Sequence, residues 1–148
     1  MFSYFEDGIT DTTFKRIIGL PELRQLIRNN PHAEKIAKIR HLREIGNEYY
    51  KVLKSELPNI TPNCIVTERN LSGDNFIKNF VQYSQYIYYD IDVKGNPNEY
   101  KSYFVDRYGH QATLISLSSS CGGLSVLFKV KNVITKGNFE EIWSAIRN

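Results

Sequence analysis

The stretch YIYYDIDV, residues 86–93, is the part of the chain that decides its fold. Aromatic and β-branched residues over eight positions are typical of a β-strand. Because side chains along a strand alternate between its two faces, Asp90 and Asp92 lie on the same face near its C-terminal end. The opposite face carries apolar side chains that point into a core: Ile87, Tyr89, Ile91 and Val93.

The paired carboxylates are the first candidate for a functional site. Two acids on one face repel each other and bind protons or cations, which relieves that repulsion. Their oxygen atoms are also the ligands that Mg²⁺ prefers. Asp90 and Asp92 are therefore candidates for a catalytic Mg²⁺ or Mn²⁺ site. The alternative is a solvated strand end with two surface acids.

Length and charge constrain the number of domains and the possible partners only loosely. A chain of 148 residues predicts a single domain, 1–148, with a real core. The net charge of +3 allows a polyanionic partner without requiring one. No apolar run is long enough to span a membrane, and residues 1–7 lack the pattern of a signal peptide. Cys64 and Cys121 lack metal-ligand spacing, so we expect free thiols and a cytoplasmic protein.

Residues 1–83 are predicted to be a mostly helical N-terminal part. A short strand is expected near residues 14–18, and a first helix begins at Pro21. Apolar residues at helical spacing then predict one long helix from Pro31 to about Leu57. A short strand follows at 64–67. The last helix of this part is capped by Ser72 and has four apolar residues on one side: Phe76, Ile77, Phe80 and Val81.

The long helix also carries a basic face, formed by Lys35, Lys38, Arg40, Arg43, Lys51 and Lys54. Such a run is commonly a solvated helix face, and the functional alternative is a surface that follows nucleic-acid phosphates. Arg69 is a single basic residue in a loop, with the same two interpretations. The candidates for nucleic-acid binding are Lys35, Lys38, Arg40, Arg43 and Arg69.

Residues 84–148 follow the order β-α-β-β-α. A capping box at 96–99 opens the first helix, strands are expected at 112–118 and 124–130, and a second capping box at 138–141 opens the last helix. This order predicts an α+β, ferredoxin-like and RRM-like βαββα(β) unit that lacks its last strand.

In that arrangement the first and third strands are antiparallel neighbours. Asp90 and Asp92 should therefore lie side by side at the exposed end of a central strand, next to the small-residue loop 118–123, with Ser125 on the adjacent strand. Such a site can hold a metal-bound nucleoside triphosphate, and the loop alone is also consistent with a plain hairpin turn. The predicted phosphate ligands are Ser120, Gly122, Gly123, Ser125 and Lys129.

Two tracts resemble a known family. Residues 86–93 resemble the hhhDhD motif of the archaeo-eukaryotic primase superfamily, where h is an apolar residue. Residues 118–130 resemble the S-x-S-G-x-G-L-K-V strand of one branch, the N-terminal domain of virulence-associated protein E, found in bacterial mobile elements. The similarity extends upstream to four more tracts: residues 9–12, 23–29, 35–40 and 57–69. The resemblance implies a primase-type palm, metal-dependent nucleotidyl transfer in DNA replication, and a helicase domain in the same or another chain.

The chain departs from that family at the site itself. Active primases have a histidine where this chain has Ser125, and Cys121 stands where glycine is usual. The superfamily also has a third carboxylate on a later strand, whereas the acids after His110 are Glu140 and Glu141, within a predicted helix. We expect that carboxylate to lie beyond Asn148 or to be absent.

The chain therefore looks like a fragment, or a domain cut short. The missing last strand would leave an open sheet edge beside the two acids, at which a dimer could form.

Two functions stay open. The first is a primase-polymerase-like domain in which a 3′-hydroxyl attacks the α-phosphate of a nucleotide, templated by DNA, or a degenerate form of it. The second is a non-catalytic module that binds single-stranded DNA or RNA for a helicase, with Tyr86 and Tyr88 available to stack bases.

Overall fold

The structure is a computed structural model that describes residues 1–69 and 79–147. Within them the chain is a mixed α+β protein with five helices and three small antiparallel sheets. The helices are α1 (Leu20–Asn29), α2 (Ala33–Glu44), α3 (Tyr49–Ser55), α4 (Pro97–Tyr108) and α5 (Phe139–Arg147). The strands are β1 (Phe2–Phe5), β2 (Arg16–Ile18), β3 (Asn59–Thr61), β4 (Cys64–Val66), β5 (Phe80–Tyr83), β6 (Tyr86–Asp92), β7 (Ala112–Leu117) and β8 (Gly123–Lys129). Among the described helices, none has both the length and the apolar character needed to cross a membrane.

The C-terminal elements follow the predicted order β-α-β-β-α. β8 pairs antiparallel with both β6 and β7, and Asp90 lies opposite Ser125 on β8. The prediction that β6 and β8 are antiparallel neighbours is thus confirmed. The prediction that the acids lie on a central strand is wrong for the described sheet. Its order is β6-β8-β7, so β8 is central and β6 is an outer strand.

The long helix predicted for residues 31–57 is two helices. α2 ends at Glu44, Gly46 takes the left-handed region with φ of 72°, and the Asn47 side chain accepts a 3.0 Å hydrogen bond from the Tyr49 N–H as α3 begins. The helices then fold onto each other around Ile39 and two leucines of the following segment. Their apolar spacing continues across the break, so periodicity predicts one helix where a helical hairpin forms.

The prediction of a mostly helical N-terminal part needs correction, because β1 to β5 lie there as well. Phe80 and Val81, expected on the helix capped by Ser72, lie on β5, and the rest of that helix lies outside the described residues. β1 is only four residues long and pairs with two segments distant in sequence, β2 and β3. Such short strands show too little alternation to be recognised before their partners are known.

Two apolar clusters cover opposite faces of the β6-β8-β7 sheet. On one face, Tyr86 and Leu127 pack with Phe2, Ile18 and Leu23 from the N-terminal part. The other face packs under α4 through a second cluster: Val93, Leu124 and Val126, with Ile91, Phe104 and Ile115 against it. On that same side, the Trp143 ring of α5 stacks on Tyr89, 5.5 Å between centroids. The first cluster ends before Asp90 and Asp92, which stay exposed.

A buried serine joins the two small sheets of the N-terminal part. Ser3 is fully buried; its hydroxyl donates to the Val66 carbonyl at 2.8 Å and accepts from the Val66 N–H at 2.9 Å. This reciprocal pair links β1 to β4. A buried polar group that is satisfied in this way stabilises the fold, and removing it leaves both backbone groups without that partner.

We expect Ser3→Ala to lower the free energy of unfolding by about 1–3 kcal/mol, because two buried backbone groups lose their hydrogen bonds. Urea unfolding followed by circular dichroism measures the change. Ser144→Ala, at an exposed position of α5, is the matched control and should change stability little. Equal effects of the two substitutions would contradict this role of Ser3.

Candidate functional site

A cleft of about 780 Å³ lies between the N-terminal helices and one end of the β6-β8-β7 sheet. Its sheet wall holds Asp90, Asp92 and the loop 118–123. Its helical wall holds four basic residues: Arg40, Arg43, Lys51 and Lys54. Apolar residues of α1 and α2 line another part of the cleft: Leu23, Leu26, Ile27 and Ile36. The cleft therefore combines acidic, basic and apolar surfaces.

The acidic wall is built by strand alternation. Asp90 is paired with Ser125 on β8, and Ser125 is paired with Ser116 on β7, so three polar residues form a row across the sheet. Asp92 lies opposite Gly123 in the next row toward the loop. Because Gly123 has no side chain, nothing from β8 covers Asp92 at that position.

Tyr88 borders this row on the side of the core. Its hydroxyl shares a 3.1 Å hydrogen bond with the Ser125 hydroxyl. Burial raises the pKa of Tyr88 above its usual value, the hydrogen bond with Ser125 opposes that change, and the charge of Asp90 adds to it. The phenol therefore stays protonated at neutral pH and holds Ser125 in place beside Asp90.

The outer edge of β6 is partly covered, which limits the open edge expected from the sequence. The Tyr88 N–H donates to the Asn63 side-chain oxygen at 2.9 Å. The Tyr86 N–H donates to the Ser84 hydroxyl at 3.1 Å. These two side chains take backbone donors that a neighbouring strand would otherwise use.

The carboxylates fit part of a divalent metal site. Both are exposed toward the cleft, with the hydroxyls of Ser125 and Ser116 in the same row. In the described part of the chain, no group of three or more His, Cys, Asp or Glu residues is placed to hold a metal ion. Mg²⁺ is commonly bound by one or two carboxylates, with water and substrate phosphates completing its shell. Asp90 and Asp92 fit that pattern.

The small-residue loop uses its own backbone donors. The Cys121 N–H donates to the Ser118 carbonyl at 2.9 Å, and the Gly122 N–H donates to the Ser118 hydroxyl at 3.1 Å. Ser120 is buried. The Gly122 N–H, a predicted phosphate ligand, is thus already used in a hydrogen bond within the loop. Cys121 takes a left-handed φ of 55°, a conformation that suits the glycine expected there from the family resemblance.

The basic residues predicted on α2 fall into two groups. Arg40 donates from Nε to the Ser119 carbonyl, and Arg43 donates from a terminal nitrogen to the Cys121 carbonyl, both at 3.3 Å. These two arginines line the cleft, whereas Lys35 and Lys38 do not. Lys35 pairs with Glu56 at 2.8 Å. Helical position therefore separates the residues that the sequence placed on a single basic face.

Two other predicted ligands lie apart from the cleft. Lys129 is paired with Tyr86 at the far end of the β6-β8 ladder, four residues from Ser125, about 13 Å along the strand. Arg69 packs over the Phe5 ring, 4.2 Å from its centroid, and donates to Asn59 and to the Ile9 carbonyl. Burial lowers the pKa of Arg69 from its usual value. Its contacts lie within the protein.

Sequence reasoning missed Ser116 as part of the site, and it gave Tyr88 and Lys54 other roles, as a base-stacking residue and as one of a run of basic residues. Because side chains alternate between faces along β7, the sequence itself indicates that Ser116 shares a face with Leu114. Which face of β7 continues the face of Asp90 becomes known only from the register with β8. Lys54 was noted as part of the basic run, and its place in the cleft depends on the fold of α3 against α2.

Comparison with protein-family models, with curated proteins and with solved structures finds no match.

The close approach of β6 and β8 requires glycine beside Asp92. A Cβ at Gly123 would overlap the carbonyl oxygen of Ile91, so Gly123→Ala should push the strands apart and cost about 1–3 kcal/mol of stability. Thermal and urea unfolding measure the loss. Gly137→Ala is the control, since its Cβ would meet only the Thr135 hydroxyl at 3.8 Å. A Gly123→Ala protein as stable as this control would show that the strands are not so closely packed.

Proposed function

We propose that this chain is a primase-polymerase-like domain of a bacterial mobile-element replication protein, which carries out metal-dependent nucleotidyl transfer or is a degenerate form of such a domain. The observation that carries the proposal is the cleft, which is lined both by Asp90 and Asp92 from β6 and by Arg40 and Arg43 from α2. A site of this kind suits a polyanion that arrives with a divalent cation.

The topology and the motifs support the same proposal. The strand order β6-β8-β7, with α4 between β6 and β7, is the first-third-second order of a split βαβ unit. We infer from it a ferredoxin-like, primase-type palm. The Asp-x-Asp tract of β6 and the Ser/Gly loop before β8, on which the resemblance to the virulence-associated protein E domain rests, meet at this cleft.

The proposed reaction is attack of a primer 3′-hydroxyl on the α-phosphorus of a nucleoside triphosphate, which forms a phosphodiester bond and releases pyrophosphate. Asp90 and Asp92 would hold Mg²⁺ or Mn²⁺, which polarises phosphoryl oxygens and offsets their charge when bound. Ser125, held by Tyr88, presents a hydroxyl beside Asp90 for a phosphate oxygen. The partners of such a domain are a single-stranded template and a helicase domain in the same or another chain.

One observation favours the second candidate, a non-catalytic module that binds single-stranded DNA or RNA. In residues 1–69 and 79–147 no third carboxylate joins Asp90 and Asp92 in a metal-binding group. Two carboxylates alone give Mg²⁺ an incomplete shell, and this ion loses its water reluctantly. On this basis we expect the isolated 148-residue chain to bind metal weakly and to extend no primer detectably.

Primer extension with Mg²⁺ or Mn²⁺ tests that expectation. The chain is compared with the Asp90→Ala/Asp92→Ala double variant, and Asp106→Ala on the exposed face of α4 serves as the matched control. We expect no extension from any of them. Extension by the unmodified chain and the control that disappears in the double variant would establish an enzyme instead.

Single-stranded DNA binding tests the basic surface. Binding of an oligodeoxythymidine should weaken steeply with salt, with a log–log slope of about −0.7 for each phosphate neutralised. Replacing Lys35, Lys38, Arg40 and Arg43 together by Gln should reduce both affinity and slope. The control replaces four exposed lysines elsewhere, Lys94, Lys129, Lys131 and Lys136. Binding that ignores salt, or that falls equally in both variants, would contradict a nucleic-acid surface on α2.

A further inference from the structure

We propose that Arg40 and Arg43 bind the phosphate tail of a nucleoside triphosphate in the cleft, rather than the backbone of a nucleic acid strand. This inference rests on the proposed function, because it takes Asp90 and Asp92 as the metal-holding side of the same site. It assigns to the two arginines a ligand different from that of Lys35 and Lys38, their neighbours on α2.

Both arginines approach the loop 118–123 and keep most of their donors. A guanidinium has five N–H donors, and each arginine gives one to a loop carbonyl through a long bond of 3.3 Å. Three residues apart on α2, they lie on one side of the helix, toward the cleft. The remaining donors of both are therefore available to a ligand that enters the cleft.

These two cations have no carboxylate partner among the residues that the structure describes. Four other cations in those ranges do have one: Lys15 with Asp7, Arg16 with Glu22, Lys35 with Glu56 and Lys51 with Glu48. Two adjacent guanidinium groups without a counter-charge favour an anion. Phosphate oxygens match their fork of donors, and such charge-assisted bonds are stronger than neutral ones.

The two acids that line the same cleft select the kind of anion. Asp90 and Asp92 repel a bare phosphate, so an anion that spans the cleft must bring a divalent cation to them. A metal-bound polyphosphate meets both requirements. The apolar part of the cleft, with Leu23, Leu26 and Ile36, then provides a surface for a nucleobase, which pyrophosphate lacks. A nucleoside triphosphate carrying Mg²⁺ or Mn²⁺ combines all three features.

Gly122 is the residue that lets Arg43 lie against the loop. A Cβ at this position would come within 2.9 Å of a terminal nitrogen of Arg43 and 3.0 Å of its Cζ. Gly122→Ala therefore moves Arg43 without changing any charge. It is an independent test of the arginine's position, separate from a test of its charge.

The experiment measures ATP binding with Mn²⁺ by isothermal titration calorimetry, and oligodeoxythymidine binding by fluorescence anisotropy, on the same set of proteins. Arg40→Gln/Arg43→Gln should weaken ATP binding by at least about ten-fold, because charge-assisted bonds to phosphate are lost. Gly122→Ala should weaken it several-fold. Lys35→Gln/Lys38→Gln, with the same charge change on the same helix, should leave it within about two-fold. Circular dichroism melts confirm that each variant is folded.

The outcomes separate this inference from the proposed function. ATP binding that depends on Asp90 and Asp92 but not on the arginines would overturn the inference and leave the proposed function standing. Binding that needs the arginines but neither Mn²⁺ nor the acids would support the phosphate role and contradict a metal-dependent site. If the arginine pair and the lysine pair weaken oligonucleotide binding equally, and neither affects ATP, or if the unmodified chain binds no ATP, the inference is wrong.

Discussion

The packing of Tyr86 and Leu127 against Phe2, Ile18 and Leu23 is the contact on which the rest of the molecule depends. It joins the N-terminal part to one face of the β6-β8-β7 sheet and buries apolar groups from segments far apart in sequence. Because the cluster covers only one end of that face, the other end stays open. The same contact therefore holds the two parts together and leaves the cleft between them.

The transition from core to cleft occurs within four residues along β6. Tyr86 is buried, Tyr88 is half-buried with its hydroxyl against Ser125, and Asp90 is exposed. Alternation places all three side chains on one face. Along that face the strand therefore presents first a buried aromatic ring, then a half-buried phenol and finally an exposed acid. This gradient keeps the acids hydrated, which a carboxylate needs when it has no ion partner. It also puts them next to the buried part of the sheet.

The acidic and basic residues of the cleft come from different elements. Acids come from the sheet, and Arg40 and Arg43 come from α2, where their bonds to the carbonyls of Ser119 and Cys121 hold the helix against the loop. The loop, in turn, is shaped by internal bonds to Ser118. The proposed phosphate recognition would therefore use side chains from the helix rather than the loop backbone. It differs from the backbone cradle that the glycines alone predict.

The sequence by itself determined the elements around the acids. Alternation in residues 86–93, two strands after a capped helix, and the order β-α-β-β-α were sufficient to place Ser125 on the strand adjacent to Asp90, because each of these signals is local or follows from the order of elements. Tertiary structure decided which basic residues face the acids. Helical periodicity describes one face of residues 31–57, but the break at Gly46 and the fold of α3 onto α2 bring Arg40 and Arg43 to the loop. Arg69 was separated from the site for the same physical reason, whereas Lys129 is separated by its distance from Ser125 along β8. Contacts between residues about 80 positions apart depend on how whole elements pack, and no local pattern encodes that packing.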